Sequence, residues 1–167
     1  YGIVFVDAAS PGFCKNFDDP MDSMVHVLKF ARKSGILRVV SSIPGMRDIF
    51  NSKHNLPTDL KELEKAITLQ RMWNPAMINE RKEIKANGEK VSKEGNLGNI
   101  PIRVISAGNN GFDGWLDTQK ELLELSTNSS SVILNEAGHF IHHESTEVVI
   151  KEIEDLLMSS DELDINE

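Results

Sequence analysis

Three short apolar runs limit what this chain can fold into: YGIVFVD at 1–7, IRVISAG at 102–108 and SVILN at 131–135. Each is rich in β-branched residues and too short for a core helix. Each is followed by turn formers: AASPG, NNGFDG and AGHF. Continuous apolar runs of this length predict buried strands of a parallel sheet. Between the second and third runs, Trp115–Leu125 places Leu116, Leu122, Leu123 and Leu125 at helical spacing. After the third, Thr146–Met158 does the same with Val148, Val149, Ile153, Leu156 and Leu157, and the acidic tail SSDELDINE is expected to fray.

The long stretch between the first two runs has a helical pattern. A helix is predicted from Asp19-Pro20, with Met21, Met24, Val25, Leu28, Phe30 and Ala31 on its apolar face and Gly35 closing it. Residues 36–58 are mixed, with breakers at Ile43-Pro44-Gly45 and Asn55-Leu56-Pro57. Thr58 reads as the N-cap of a helix carrying Leu60, Leu63, Ala66, Ile67 and Met72 to about Trp73. Pro75 opens another through Met77, Ile78 and Ile84, which Asn87-Gly88 weakens or ends. The order is strand, long helical insertion, strand, helix, strand, helix, which predicts an α/β fold with a parallel sheet. In such sheets functional residues gather at the carboxyl ends of strands. Asp7, the Gly108–Gly114 loop and His139 stand at those ends.

The formal net charge of −8 argues against nucleic acid as a partner, because a phosphate backbone needs a basic face. The lysines at 82–85 and 90–93 are interleaved with Glu80, Glu83, Glu89 and Glu94 and read as a solvated helix face. Cys14 is the single cysteine, so no internal disulfide marks an oxidising compartment. It sits in a Pro-Gly-Phe loop with nothing in the sequence to activate it as a nucleophile. No apolar run reaches the length of a membrane span, and no signal peptide is visible. The expectation is a cytoplasmic protein with no membrane contact from this segment. The sequence opens on an apolar run without Met, which suggests a start inside a longer chain.

The segment NEAGHFIHHE at 135–144 carries three histidines. His139 and His143 are four apart, as in a helical zinc motif, but no Glu follows the first His and Gly138 signals a turn. Metal ligation by His139, His142, His143 and Glu144 is therefore disfavoured. His142 and His143 read as local structure, with Glu144 and Glu147 suited to a helix N-terminus. The glycines of 108–114 do not form G-x-G-x-x-G, so no dinucleotide site is expected.

Taken together, IPIRVISAG, WLDTQKELLELS, SVILNEAGHFIHHES and VVIKEIEDLL resemble the closing half of an α/β-hydrolase, with GHFIH after a short strand the most specific piece. YGIVFVDAASP is similar to the family's strand after the nucleophile helix, and 20–95 to its inserted helical cap. The resemblance implies a partial α/β-hydrolase fold: core strand and loop at 1–19, helical cap at 20–97, the rest of the core at 98–158, acidic tail at 159–167. It implies a hydrolase acting on a small ester or related substrate, with no metal or organic cofactor. His139 would be the catalytic base. The acid would be Asp7, with Asp113 the alternative and Asp117 a further candidate. Asn109, Asn110 and Gly111 fill the place where many relatives carry it.

The nucleophile elbow G-x-S-x-G is absent, and Ser10, Ser41, Ser42 and Ser106 lack its strand-to-helix setting. The nucleophile and the oxyanion donors are expected from a missing N-terminal half, on this or another chain. Without it the sheet edge and apolar surface predict instability or aggregation. Two rivals stay open: an Asp-nucleophile dehalogenase or epoxide hydrolase, and a non-catalytic binding protein on the same fold. Met21, Met24, Met46, Met72, Met77, Phe50 and Trp73 either pack the cap or line an apolar pocket in it.

Overall fold

The three apolar runs form parallel strands β1 (Ile3–Val6), β2 (Ile102–Ala107) and β3 (Ser129–Leu134), in the order β1-β2-β3. The computed structural model describes residues 2–19, 22–43 and 56–164, with the backbone alone at 22 and 160–164. Ile3 pairs with Ile102 and Ile102 with Ser129, and the register runs unbroken to Ala107 opposite Leu134. Only β2 is buried as expected of all three, since it has a strand on either side. β1 is half-buried and β3 alternates, because each pairs on one side among the described residues. β3 begins before the apolar run, taking in Ser129 and Ser130. Ladder bonds use the backbone, and the Ser129 hydroxyl donates to the Leu123 carbonyl.

Eight helices are described: α1 (Pro11–Lys15), α2 (Val25–Lys33), α3 (Ile36–Val40), α4 (Thr58–Arg71), α5 (Pro75–Val91), α6 (Trp115–Leu123), α7 (Ile141–Glu144) and α8 (Thr146–Asp164). A 3-10 turn, Asp22–Met24, leads into α2. Alternation along β2 divides the core between the sheet's two faces. Ile102 and Val104 pack on Leu122 of α6, with Ile3 and Phe5 beside them. Ile105 and Ala107 pack on Ala137 and on Ile141 of α7, joined by Val148 and Val149 of α8. This is an α/β fold: a three-stranded parallel sheet with helices on both faces.

Several local expectations change. Pro11-Gly12 does not merely stop a strand: Ser10 accepts from the Phe13 amide as N-cap, and Pro11 opens α1. The mixed stretch after Gly35 contains α3. α4 starts at Thr58 with Pro57 as its cap, so Thr58 is the first helical residue and not the N-cap. Asn87-Gly88 does not end α5, which continues to Val91. A Cβ at Gly88 would lie 2.5 Å from the Lys15 nitrogen and 2.7 Å from Cys14 Cβ, so its bareness lets α5 approach α1. α8 runs past Met158 to Asp164. The expectations placed on Pro20, Met21, Pro44, Gly45, Met46, Phe50 and Asn55 fall outside the described residues.

The chain divides into two compact units, Tyr1–Asn16 with Lys85–Glu167, and Phe17–Ile84. The first holds the sheet. Within the second, Val25, Leu69 and Ile78 are buried, while Met24, Val27 and Phe30 are exposed. There the Arg81 guanidinium takes both carboxylate oxygens of Asp19 and lies 5.8 Å from the Phe17 ring centre and 5.4 Å from that of Trp73. The bond to Asp19 raises the Arg81 pKa further. Among the described residues, no helix is long and apolar enough to cross a membrane.

Where β2 and β3 end, their loops touch. A Cβ at Gly108 would meet Asn135 Cα at 2.5 Å and its carbonyl oxygen at 2.8 Å. Gly108→Ala should therefore lower stability by about 1–3 kcal/mol, the usual cost of overpacking, read as a lower urea midpoint. An unchanged midpoint would mean that the two loops separate freely.

Candidate active site

At the end of β1 the chain turns sharply. Its amide still bonds the Ile105 carbonyl at 2.7 Å, but Asp7 takes φ 47°, a left-handed conformation that Asp tolerates better than most residues. The turn carries its carboxylate under the end of β2, where the residue is 1% exposed. Oδ1 accepts from the Ala107 amide at 2.9 Å and from Trp115 Nε1 at 2.6 Å. Oδ2 accepts from the Asn110 amide group and faces His139 Nδ1 at 2.8 Å. A carboxylate has about four lone-pair positions, and here each meets a donor. The Ala107 amide, the Trp115 indole and the Asn110 amide group can only donate, so Asp7 is placed as an acceptor.

His139 arrives from β3. The loop after Leu134 is drawn in by Ala137, which is buried and whose carbonyl accepts from the Asn109 amide at 3.1 Å. The Gly138 amide donates to Glu144 Oε2 at 2.8 Å, fixing the backbone just before the imidazole. Because Asp7 only accepts, the network assigns the proton to His139 Nδ1. Asn110 Nδ2 at 3.4 Å from the same nitrogen is then a neighbouring donor and not a partner. Nε2 has no partner among the described residues, and the side chain is 57% exposed while that of Asp7 is 0%. A ring with one nitrogen anchored on a buried anion and the other bare can take up a proton at Nε2.

The structure thus brings Asp7 and His139 together across 132 residues of sequence. Asp113 is exposed in the turn before α6 and is not part of this pair. Asp117 is exposed too and bonds Lys120 at 2.7 Å, whose ammonium holds its carboxyl below the usual range. Asp7 does not bond the backbone of Ala9 or Ser10, as a turn former would; its partners lie on β2, the loop behind it and α6. The serines make structural hydrogen bonds. Ser10 donates to Glu121, Ser41 and Ser42 to the Arg38 carbonyl, and Ser106 to Gln119 Oε1 at 3.4 Å. Cys14 lies in α1, and burial raises its thiol pKa, the reverse of activation. His142 and His143 lie against each other with ring centres 4.2 Å apart and planes tilted by 44°. Among the described residues, no three His, Cys, Asp or Glu side chains gather as a metal site requires.

Sequence reasoning missed Trp115. It stands first in α6, is 6% exposed, and packs edge-on against Phe13 of α1 with centroids 5.1 Å apart. A buried indole needs a partner for its N–H, and that requirement was the available signal. Gln119, one turn on, donates to the Ala8 carbonyl at 2.9 Å and so anchors the turn behind Asp7 to α6.

No protein-family model matches the sequence, and no curated protein matches it. Among solved structures, the crystal structure of a "Putative Acyltransferase from Salmonella enterica" is similar, with a TM-score of 0.53 and 16% identity over 93% of this chain. The similarity supports the fold. The chain spans 55% of that protein's length.

Two outcomes are expected. Trp115→Phe keeps a ring against Phe13 but removes one donor from a buried carboxylate, so stability should fall by about 1.5–3 kcal/mol in chemical denaturation. Cys14, held as a thiol, should react with iodoacetamide more slowly at pH 8 than glutathione does. Equal rates would mean that its burial does not protect it.

Proposed function

We propose that this chain supplies the base and the acid of a nucleophile–His–acid hydrolase of the α/β-hydrolase type, acting on a small ester. The observation that carries the reading is the 2.8 Å contact between His139 Nδ1 and the buried Asp7 carboxylate, with Nε2 bare among the described residues. The nucleophile and the oxyanion donors come from sequence outside these residues, on the same or another chain. The helices of 17–84 occupy the stretch of sequence that the resemblance assigns to a cap.

In this reading His139 Nε2 takes the nucleophile's hydroxyl proton as its oxygen attacks the ester carbonyl. The resulting imidazolium is stabilised by Asp7 and returns the proton to the departing alkoxide, leaving an acyl-enzyme. Water then attacks the acyl carbon, giving its proton to Nε2, and the nucleophile recovers its proton as the acid leaves. An alcohol or amine in place of that water would make the same steps an acyl transfer, the chemistry that the similar Salmonella structure's name carries. No step draws on a metal or an organic cofactor.

The test is turnover of p-nitrophenyl acetate by the full-length protein. His139→Ala should lower kcat by about 10⁶-fold, and Asp7→Asn, which holds the wrong tautomer, by about 10⁴-fold. A fluorophosphonate probe should label a serine outside the 167 residues. Equal turnover by wild type and His139→Ala would refute the reading.

A further inference from the structure

We propose that Asn110 is a positioning residue that fixes the His139 tautomer by holding Asp7 Oδ2; the inference rests on the reading of His139 as the base. Oδ1 of Asp7 is pinned by a backbone amide and an indole, both rigidly placed on β2 and α6. Oδ2 has only Asn110 and the imidazole itself. The imidazole is the group to be oriented, so Asn110 is the one fixed donor that aims Oδ2 at Nδ1.

The hydrogen-bond network assigns the orientation of the Asn110 amide. Turned over, its Oδ1 would sit against Asp7 Oδ2, acceptor against acceptor. As it stands, Oδ1 is buried and has no hydrogen-bond partner among the described residues. A buried carbonyl left unsatisfied is costly, and so is tolerated only where something else fixes the group. Here the bond to Asp7 holds Nδ2 on the carboxylate. With His139 largely exposed, solvent alone would let both tautomers coexist. Asn110 and Asp7 together select the one with Nε2 free.

The experiment uses the full-length protein with ¹⁵N-labelled histidine, His139 assigned by its loss in His139→Gln. At alkaline pH, wild type should show Nδ1 protonated and Nε2 bare. In Asn110→Leu, which keeps the size and removes the donor, both nitrogens should move toward a tautomer average. On p-nitrophenyl acetate kcat should fall by about 10- to 100-fold, the loss of one hydrogen bond to a charged group, with KM unchanged. Asn110→Ala should behave alike, which covers the case of Leu failing to fold. Retention of the Nδ1–H tautomer in folded Leu or Ala variants would overturn the assignment. The spectrum needs no turnover, so a wild type inactive on esters would defeat the hydrolase reading and leave Asn110 still decided.

Discussion

The structure around the site depends on one buried negative charge. Asp7 draws donors from the end of β2, the loop behind it, the start of α6 and the loop after β3. Removing a charge from water is expensive unless every lone pair is met, and a buried charge missing a partner is worse than none. The carboxylate therefore selects a geometry: these four segments must converge for the fold to tolerate it. The left-handed turn at Asp7 is part of that cost, kept because the surrounding bonds over-determine it.

The same arrangement separates two jobs. The Asp7 carboxylate is sealed from solvent, while the imidazole it holds is more than half exposed. Burial strengthens the attraction between a carboxylate and a developing imidazolium, and exposure leaves Nε2 within reach of a reacting group. Trp115 links this electrostatic core to packing. Its indole N–H meets the carboxylate while its ring rests on Phe13, so α1, which the sequence presents as a simple turn, becomes a buttress of the site.

How much of this was legible follows from what sequence patterns report. Strand runs and their closing turns are local, so the α/β order and the strand-end positions of Asp7 and His139 could be read directly. The strand end and the resemblance favour Asp7 over Asp113; the contact itself turns on the β1-β2-β3 order, which brings Asp7 to His139 and which spacing does not report. Asn110 looked like a gap where an acid might stand; it donates to the Asp7 carboxylate, which comes from another strand. Gly88 looked like a helix stop because glycine usually weakens helices, yet close approach to α1 outweighs that tendency. Trp115 and Gln119 act across 108 and 111 residues of sequence, and no local period encodes such contacts.

The central claim is that the Asp7–His139 pair exists to serve a nucleophile. A crystal structure of the full-length protein tests it most directly, through the distance from His139 Nε2 to its nearest side-chain oxygen or sulfur. The account predicts a serine hydroxyl on a strand-to-helix turn, about 2.6–3.2 Å from Nε2. A structural partner on Nε2, such as a backbone carbonyl sealed from solvent, would contradict it.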